Sequence, residues 1–290
     1  MLVLFTDTDT DVTPAVAEKY GYHLISMPYS IDGKTVYPYV DFKEFDAKTF
    51  YDTLRGGVLP NTSAISVESY IGYFEPVFAN GDDILYVHFS RSMTATFDNM
   101  DKAVETLTAK YPERKFYSID TKGITIGSLN IVMEIGDMYK DGKTADEIVE
   151  WSKTEVDRFA VYFFSDDLRF FKHSGRVSGL AGTMGTLLGI RPIIYMNEEG
   201  KMVSIGKEKG RAKAISRLVE YVKELGDDIE SHRIITAHTD APELVDQLGD
   251  ELRAAFPDKK LDIITVDVNP TAGSHCGPNT VGVSFHAKHR

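Results

Sequence analysis

The residues of this chain best suited to chemistry are carboxylates, hydroxyls and His275, set where apolar runs end. Asp9-Thr10-Asp11-Val12-Thr13 fits the Asp-x-Asp-x-Thr pattern of aspartate-nucleophile phosphatases, where one carboxylate attacks phosphorus and its neighbour handles the proton. Asp166-Asp167 is a second acidic pair that a Mg-dependent phosphoryl-transfer enzyme built on Asp9 and Asp11 would use. Ser90, Arg91, Ser92, Thr94 and Thr96 follow the run Ile84–Phe89 and enter a segment with helical spacing through Lys110. Unpaired first-turn N–H groups and the helix dipole favour an anion at such a junction. The same hydroxyls serve equally as helix caps, and so do Thr62, Ser63 and Ser66.

These residues need a scaffold. The 290 residues carry a net charge of −12, which argues against nucleic acid or an anionic membrane as the main partner, since both select a basic face. One cysteine, Cys276, rules out an intrachain disulfide. The opening Leu2–Phe5 lacks a basic signal-peptide flank, and no apolar run approaches the ~18 residues that span a bilayer. A cytoplasmic protein without integral membrane association is expected.

Leu2–Phe5, His23–Ile31, Ile84–Phe89 and Lys115–Ile119 read as strands, with helical spacing over Phe45–Leu54, through Phe78, and over Ile124–Tyr139 and Thr144–Val156. Asp32-Gly33 marks a hairpin within Tyr29–Val36. Strands alternating with helices imply an α/β fold, with ligands beyond the carboxyl ends of the strands. Ala160–Phe164 restarts the pattern, which divides the chain into residues 1–158 and 159–290. Each part is expected to be an α/β domain with a mostly parallel or mixed sheet flanked by helices.

In the second part, Gly179, Gly182, Gly185 and Gly189 fit neither Gly-x-Gly-x-x-Gly nor the phosphate loop, which disfavours nucleotide binding by those routes. Interleaved with Leu180, Met184, Leu187 and Leu188, they suggest a close-packed helix or an apolar tunnel wall. Lys207, Lys209, Arg211 and Lys213 read as a solvated helix start or a docking patch. Asn269–Asn279 reads as a loop before a final strand, Val281–Phe285.

Taken in order, these stretches resemble the DegV family of bacterial fatty-acid-binding proteins. Thr6-Asp7-Thr8-Asp9-Thr10-Asp11 is similar to that family's Thr-Asp-Ser-Thr-x-Asp, Thr62-Ser63 to its Thr-Ser loop, and Asp120-Thr121 to its Asp-Ser. Ser90–Phe97 resembles Ser-Ser-x-Leu-Ser-Gly-Thr-Tyr, Lys172–Ser178 resembles Lys-x-Gly-Gly-Arg-Ile-Ser, and Ile190–Ile193 resembles Ile-Lys-Pro-Ile. His275-Cys276-Gly277-Pro278 is similar to the closing His-x-Gly-Pro-Gly.

The resemblance implies a two-domain protein holding one long-chain fatty acid, with the carboxylate between the domains and the tail in an apolar tunnel of the second. It implies a carrier rather than a catalyst, without a cofactor, that presents the acyl chain to a separate fatty acid kinase for acyl-phosphate formation. Thr62, Ser63, Ser90, Arg91, Thr94 and His275 are then the carboxylate-binding candidates. Arg176, Lys209 and Arg211 are candidates for kinase docking or for steadying the phosphate. Arg91 stands where the family has a second Ser, Thr94-Ala95 replaces Ser-Gly, and Arg191 and Asn279 replace Lys and Gly. A lipid-sensing regulator without a kinase shares the same expected pocket.

Overall fold

The computed structural model describes residues 1–178 and 189–290. The tunnel-wall reading of the glycines from Gly179 to Gly185 lies outside the described residues.

The chain opens with β1 (Leu2–Asp7), a single 3-10 turn, and α1 (Pro14–Tyr20), which Thr13 caps and Pro14 starts. Next come β2 (Tyr22–Ile25), β3 (Tyr29–Ile31), β4 (Lys34–Val36), α2 (Ala47–Arg55) and the short β5 (Asn61–Thr62). Then follow α3 (Val67–Ala79), β6 (Asp83–His88), α4 (Thr96–Lys110), β7 (Phe116–Asp120), α5 (Ile126–Lys140) and α6 (Ala145–Glu155). Strands β2, β1, β6 and β7 form, in that order, a parallel sheet. The β3–β4 hairpin turns on Asp32 at φ 50° and Gly33 at φ 74°, the positive dihedrals that a two-residue hairpin requires. With β5 it makes a separate antiparallel sheet.

The second half runs β8 (Phe159–Ser165), α7 (Leu168–Ser174), β9 (Val177–Ser178), β10 (Ile190–Met196) and β11 (Met202–Lys209). It continues with α8 (Arg211–Leu225), β12 (Arg233–His238), α9 (Pro242–Ala255), β13 (Asp262–Asp267), α10 (Pro270–Cys276) and β14 (Thr280–His286). Its mixed sheet has the order β13-β12-β14-β8-β10-β11-β9 among the described residues. The fold is thus a two-domain α/β architecture with a parallel sheet, a mixed sheet and the small antiparallel sheet of β3, β4 and β5.

Two local differences from the sequence reading matter. Lys207 and Lys209 lie on β11 rather than at a helix start, because that strand stays paired with β10 as far as Ile190 opposite Lys209. The stretch read as a loop contains α10, which Asn269 caps by accepting from the Ala272 N–H and which Pro270 opens.

Strand β8 is buried on both faces. Ala160, Tyr162 and Phe164 face the core under α8 and α9, while Val161 and Phe163 face the core shared with the first half. Helix α5 belongs to the first half yet packs on β8, β12 and β14, and also against α1. Its Gly127 permits this approach, since a Cβ there would meet Val161 Cγ1 at 3.0 Å. Asn130 on the same helix donates to the Arg233 carbonyl at 3.1 Å. A single continuous apolar core therefore fixes the halves to each other and sets the geometry of anything between them.

Candidate ligand-binding site

A cavity of about 220 Å³ lies where the two halves meet. Thr62, Ser63, Thr94 and Arg176 line its solvent-facing part, and all four are exposed or half-exposed. Its inner wall is apolar and buried: Ile126 from α5, Val161 and Phe163 from β8, Ala237 from β12 and Val268. Gly282 of β14 completes that wall, and a Cβ there would stand 2.9 Å from the Phe163 Cβ. Buried Asp9, Thr96, Thr271 and Thr280 also line it, so the inner part is mainly apolar with a few polar groups. Such a cavity suits an amphiphile with a polar head and an apolar tail.

At the mouth, Thr62 Oγ1 and His275 Nε2 are 3.0 Å apart. Thr62 is placed by β5, paired opposite Tyr29. His275 ends the short helix α10, which the first half holds from two sides. Asp11 Oδ1 accepts from the backbone and side-chain N–H groups of Asn269 at 2.9 and 2.7 Å, and Thr271 donates to the Met27 carbonyl at 2.7 Å. Burial, reinforced by Arg176 and His173, pushes the His275 pKa down to about 4. The imidazole is therefore neutral at pH 7. Its Nδ1 is buried and has no hydrogen-bond partner among the described residues.

Other predicted residues are placed differently. Ser90 is fully buried, donates to the Gly200 carbonyl at 2.7 Å and accepts from the Ser92 N–H at 3.2 Å. It ties the strand–helix junction to the β10–β11 turn and does not line the cavity. Arg91 pairs with Asp101 and lies 5.6 Å from the Phe97 ring centroid, also away from the cavity. The expected anion site at this junction is a 3-10 turn, Arg91–Met93, followed by Thr94, whose hydroxyl accepts from the Thr96 N–H at 3.1 Å. Of the Thr62, Ser63 and Ser66 hydroxyls, Ser66 is the helix cap.

Arg176 joins the cavity wall, and among the described residues it has no carboxylate partner. It precedes β9, which pairs with Met202 and Val203 at the start of β11, whereas Lys209 is that strand's last residue. Seven residue steps along a strand separate them by about 23 Å. Arg211 is held by Asp166, which also pairs with Arg191.

The acids do not converge as a phosphoryl-transfer site would need. Asp7 accepts from the Tyr86 hydroxyl at 3.0 Å and the Phe89 N–H at 3.2 Å, and Asp11 is turned to Asn269. Asp166 is engaged by two arginines and Asp167 by Arg169. Among the described residues no cluster of His, Cys, Asp and Glu has the spacing of a metal site. Burial pushes Asp7 and Asp11 up to about 7, and Asp9 rises well above the usual carboxylate range through burial and the charges of Asp7 and Asp11.

Several lining residues escaped the sequence reading: Met93, Thr125, Val161, Ala237 and Gly282. Thr125 sits at φ 52° and ψ −129°, costly for a β-branched residue, and its N–H donates to the Asp9 carbonyl at 2.8 Å. Strained backbone at a cavity wall leaves no mark in the sequence.

Fold and site together define a two-domain α/β protein with an interdomain cavity that is polar at its mouth and mainly apolar inside. The chain belongs to the DegV family: the family model, described as an uncharacterised protein of the DegV family, matches residues 1–288. A DegV domain-containing protein of Clostridium perfringens is 31% identical over 283 residues, covering 98% of this chain and 96% of that one. A solved DegV family protein of Streptococcus agalactiae, described as fatty acid binding, is 25% identical with a TM-score of 0.83, covering 100% of this chain and 99% of that one. A stearic acid-binding protein of Eubacterium ventriosum has a TM-score of 0.88 at 20% identity, covering 99% of each chain. No helix among the described residues is long and apolar enough to cross a membrane.

Proposed function

We propose that this protein is a non-catalytic carrier of one long-chain fatty acid, and that it presents the acyl carboxylate to a fatty acid kinase in the cytoplasm. Residues 1–158 and 159–290 act as the two domains that close on the ligand. The observation that carries the reading is this cavity, with Thr62 and His275 meeting across its mouth and mainly apolar side chains lining its floor.

A carboxylate at the mouth takes donors from Ser63 and Thr94, the Nδ1 of His275, unpaired among the described residues, and the Arg176 cation. If the Thr62 hydroxyl donates to Nε2, the neutral imidazole carries its proton on Nδ1, ready for an incoming oxygen. Each methylene buried behind it contributes about 0.8 kcal/mol, so the tail supplies most of the affinity and the head fixes the orientation. Dehydrating a carboxylate is costly, and these donors offset that cost. The fatty acid ligands of the related DegV proteins support the same assignment.

Exposed Arg176 and Lys209 are the proposed kinase contacts, while Arg211 is already occupied by Asp166. The test is acyl-phosphate formation with a bacterial fatty acid kinase, ATP and acyl-loaded protein. The wild type supports turnover, and Lys209→Glu lowers it while leaving fatty acid binding intact. Turnover equal in the two would reject the docking assignment. A wild type that binds fatty acid yet supports no turnover would reject the kinase role.

A further inference from the structure

Asp9 lies on the cavity wall, 6% exposed, on the 3-10 turn after β1. Buried Met27, Phe89 and Ile126 line the same cavity. Its Oδ1 is buried without a hydrogen-bond partner, and among the described residues neither carboxyl oxygen accepts a hydrogen bond. Asp7 is satisfied by Tyr86 and Phe89, and Asp11 Oδ1 by Asn269; Asp11 Oδ2 is also buried without a partner among the described residues, but Asp11 does not line the cavity. A carboxyl without partners in an apolar cavity is a standing cost that a ligand group can relieve. In the family motif quoted above, this position carries Thr.

Building on the carrier reading, we propose that Asp9 is a second recognition point inside the cavity, selecting an acyl chain that bears a hydroxyl group. A hydroxyl both donates and accepts, so it satisfies the Asp9 carboxyl whether that group is ionised or protonated. A plain alkyl chain leaves it unpaired. Burial first, then the charges of Asp7 and Asp11, raise the Asp9 pKa well above the usual carboxylate range, so a neutral partner such as a hydroxyl suits it better than a cation. Asp9 is thus a specificity residue, separate from the Thr62–His275 head-group site.

The test compares binding of stearate with a set of hydroxystearates whose hydroxyl steps along the chain, by titration calorimetry on wild type, Asp9→Asn and Asp9→Leu. In the wild type, one hydroxyl position binds about tenfold tighter than stearate. Asp9→Asn retains part of that preference. Asp9→Leu inverts it, weakening the hydroxylated ligand and tightening stearate. Thermal melting of each variant shows that it is folded, and removing a buried orphan carboxyl is not expected to lower stability. Tight stearate binding with no preference at any hydroxyl position, or a preference unchanged in Asp9→Leu, overturns the assignment. Failure of every chain to bind overturns the carrier reading and this assignment with it.

Discussion

Thr62 Oγ1 and His275 Nε2 lie 3.0 Å apart although 213 positions separate them in the chain. One comes from the edge of the small antiparallel sheet, the other from the last turn of a helix in the second half. Under the carrier reading, the two halves therefore meet at the ligand's head. His275→Ala is expected to weaken stearate binding about tenfold, the loss of one charge-assisted hydrogen bond, with the melting temperature nearly unchanged. Titration calorimetry checks this, and an unchanged affinity would remove His275 from the head-group site.

Ser90 gives the complementary case. Because its hydroxyl is spent on the Gly200 carbonyl and the Ser92 N–H, Ser90→Ala leaves fatty acid affinity unaltered. It lowers stability by about 1 kcal/mol, since the buried Gly200 carbonyl and the Ser92 N–H lose a partner. Urea denaturation beside a binding titration separates the two effects. A binding loss without destabilisation would return Ser90 to the ligand.

Under the carrier reading, the cavity floor sets chain length. Ala237→Leu places a larger side chain on the wall formed with Val161, Phe163 and Gly282. The optimum moves to shorter acyl chains, with about 0.8 kcal/mol lost for each methylene excluded. Competition among saturated acids of increasing length reads the shift, and an unmoved optimum would place the tail elsewhere.

Asp9 gives a pH signature. Burial first, then Asp7 and Asp11, hold its carboxyl well above the unfolded value near 3.8. As pH rises above about 4 the unfolded chain gives up this proton while the native state keeps it, so Asp9 removes stability progressively with rising pH. Asp9→Asn abolishes that contribution. Its stability relative to wild type therefore increases as pH rises above about 4. His88 and His275, both lowered to about 4, act with the opposite sign, but they are present in both proteins and cancel in the difference. Denaturant melts across that range check the trend, and a flat or falling difference would contradict it.

Local chemistry made much of the fold legible. Asp32-Gly33 announced its hairpin, and Thr144 with Glu147 completes a reciprocal cap at the start of α6. The pair Thr62 and His275 was found through motif order, but the bond between them depends on how β5 and α10 meet. Helix α10 itself was missed, although Asn269-Pro270 is an N-cap followed by proline, because Gly273 and Gly277 gave its short span the look of a loop. Ser90 misled for a different reason. A hydroxyl at a strand–helix junction looks the same whether it meets a ligand or the carbonyl of a hairpin 110 residues later. The floor was hidden because Phe163 and Gly282 read as ordinary strand residues. Only the antiparallel register of β8 and β14 sets the one opposite the other.

The most direct test of the carrier reading is mass spectrometry of the purified protein, first native and then after denaturation and solvent extraction. The account predicts an added mass equal to one long-chain fatty acid, retained in the native state and released on unfolding, with His275→Ala less fully loaded. A protein that is empty as purified and takes up no added fatty acid would contradict it.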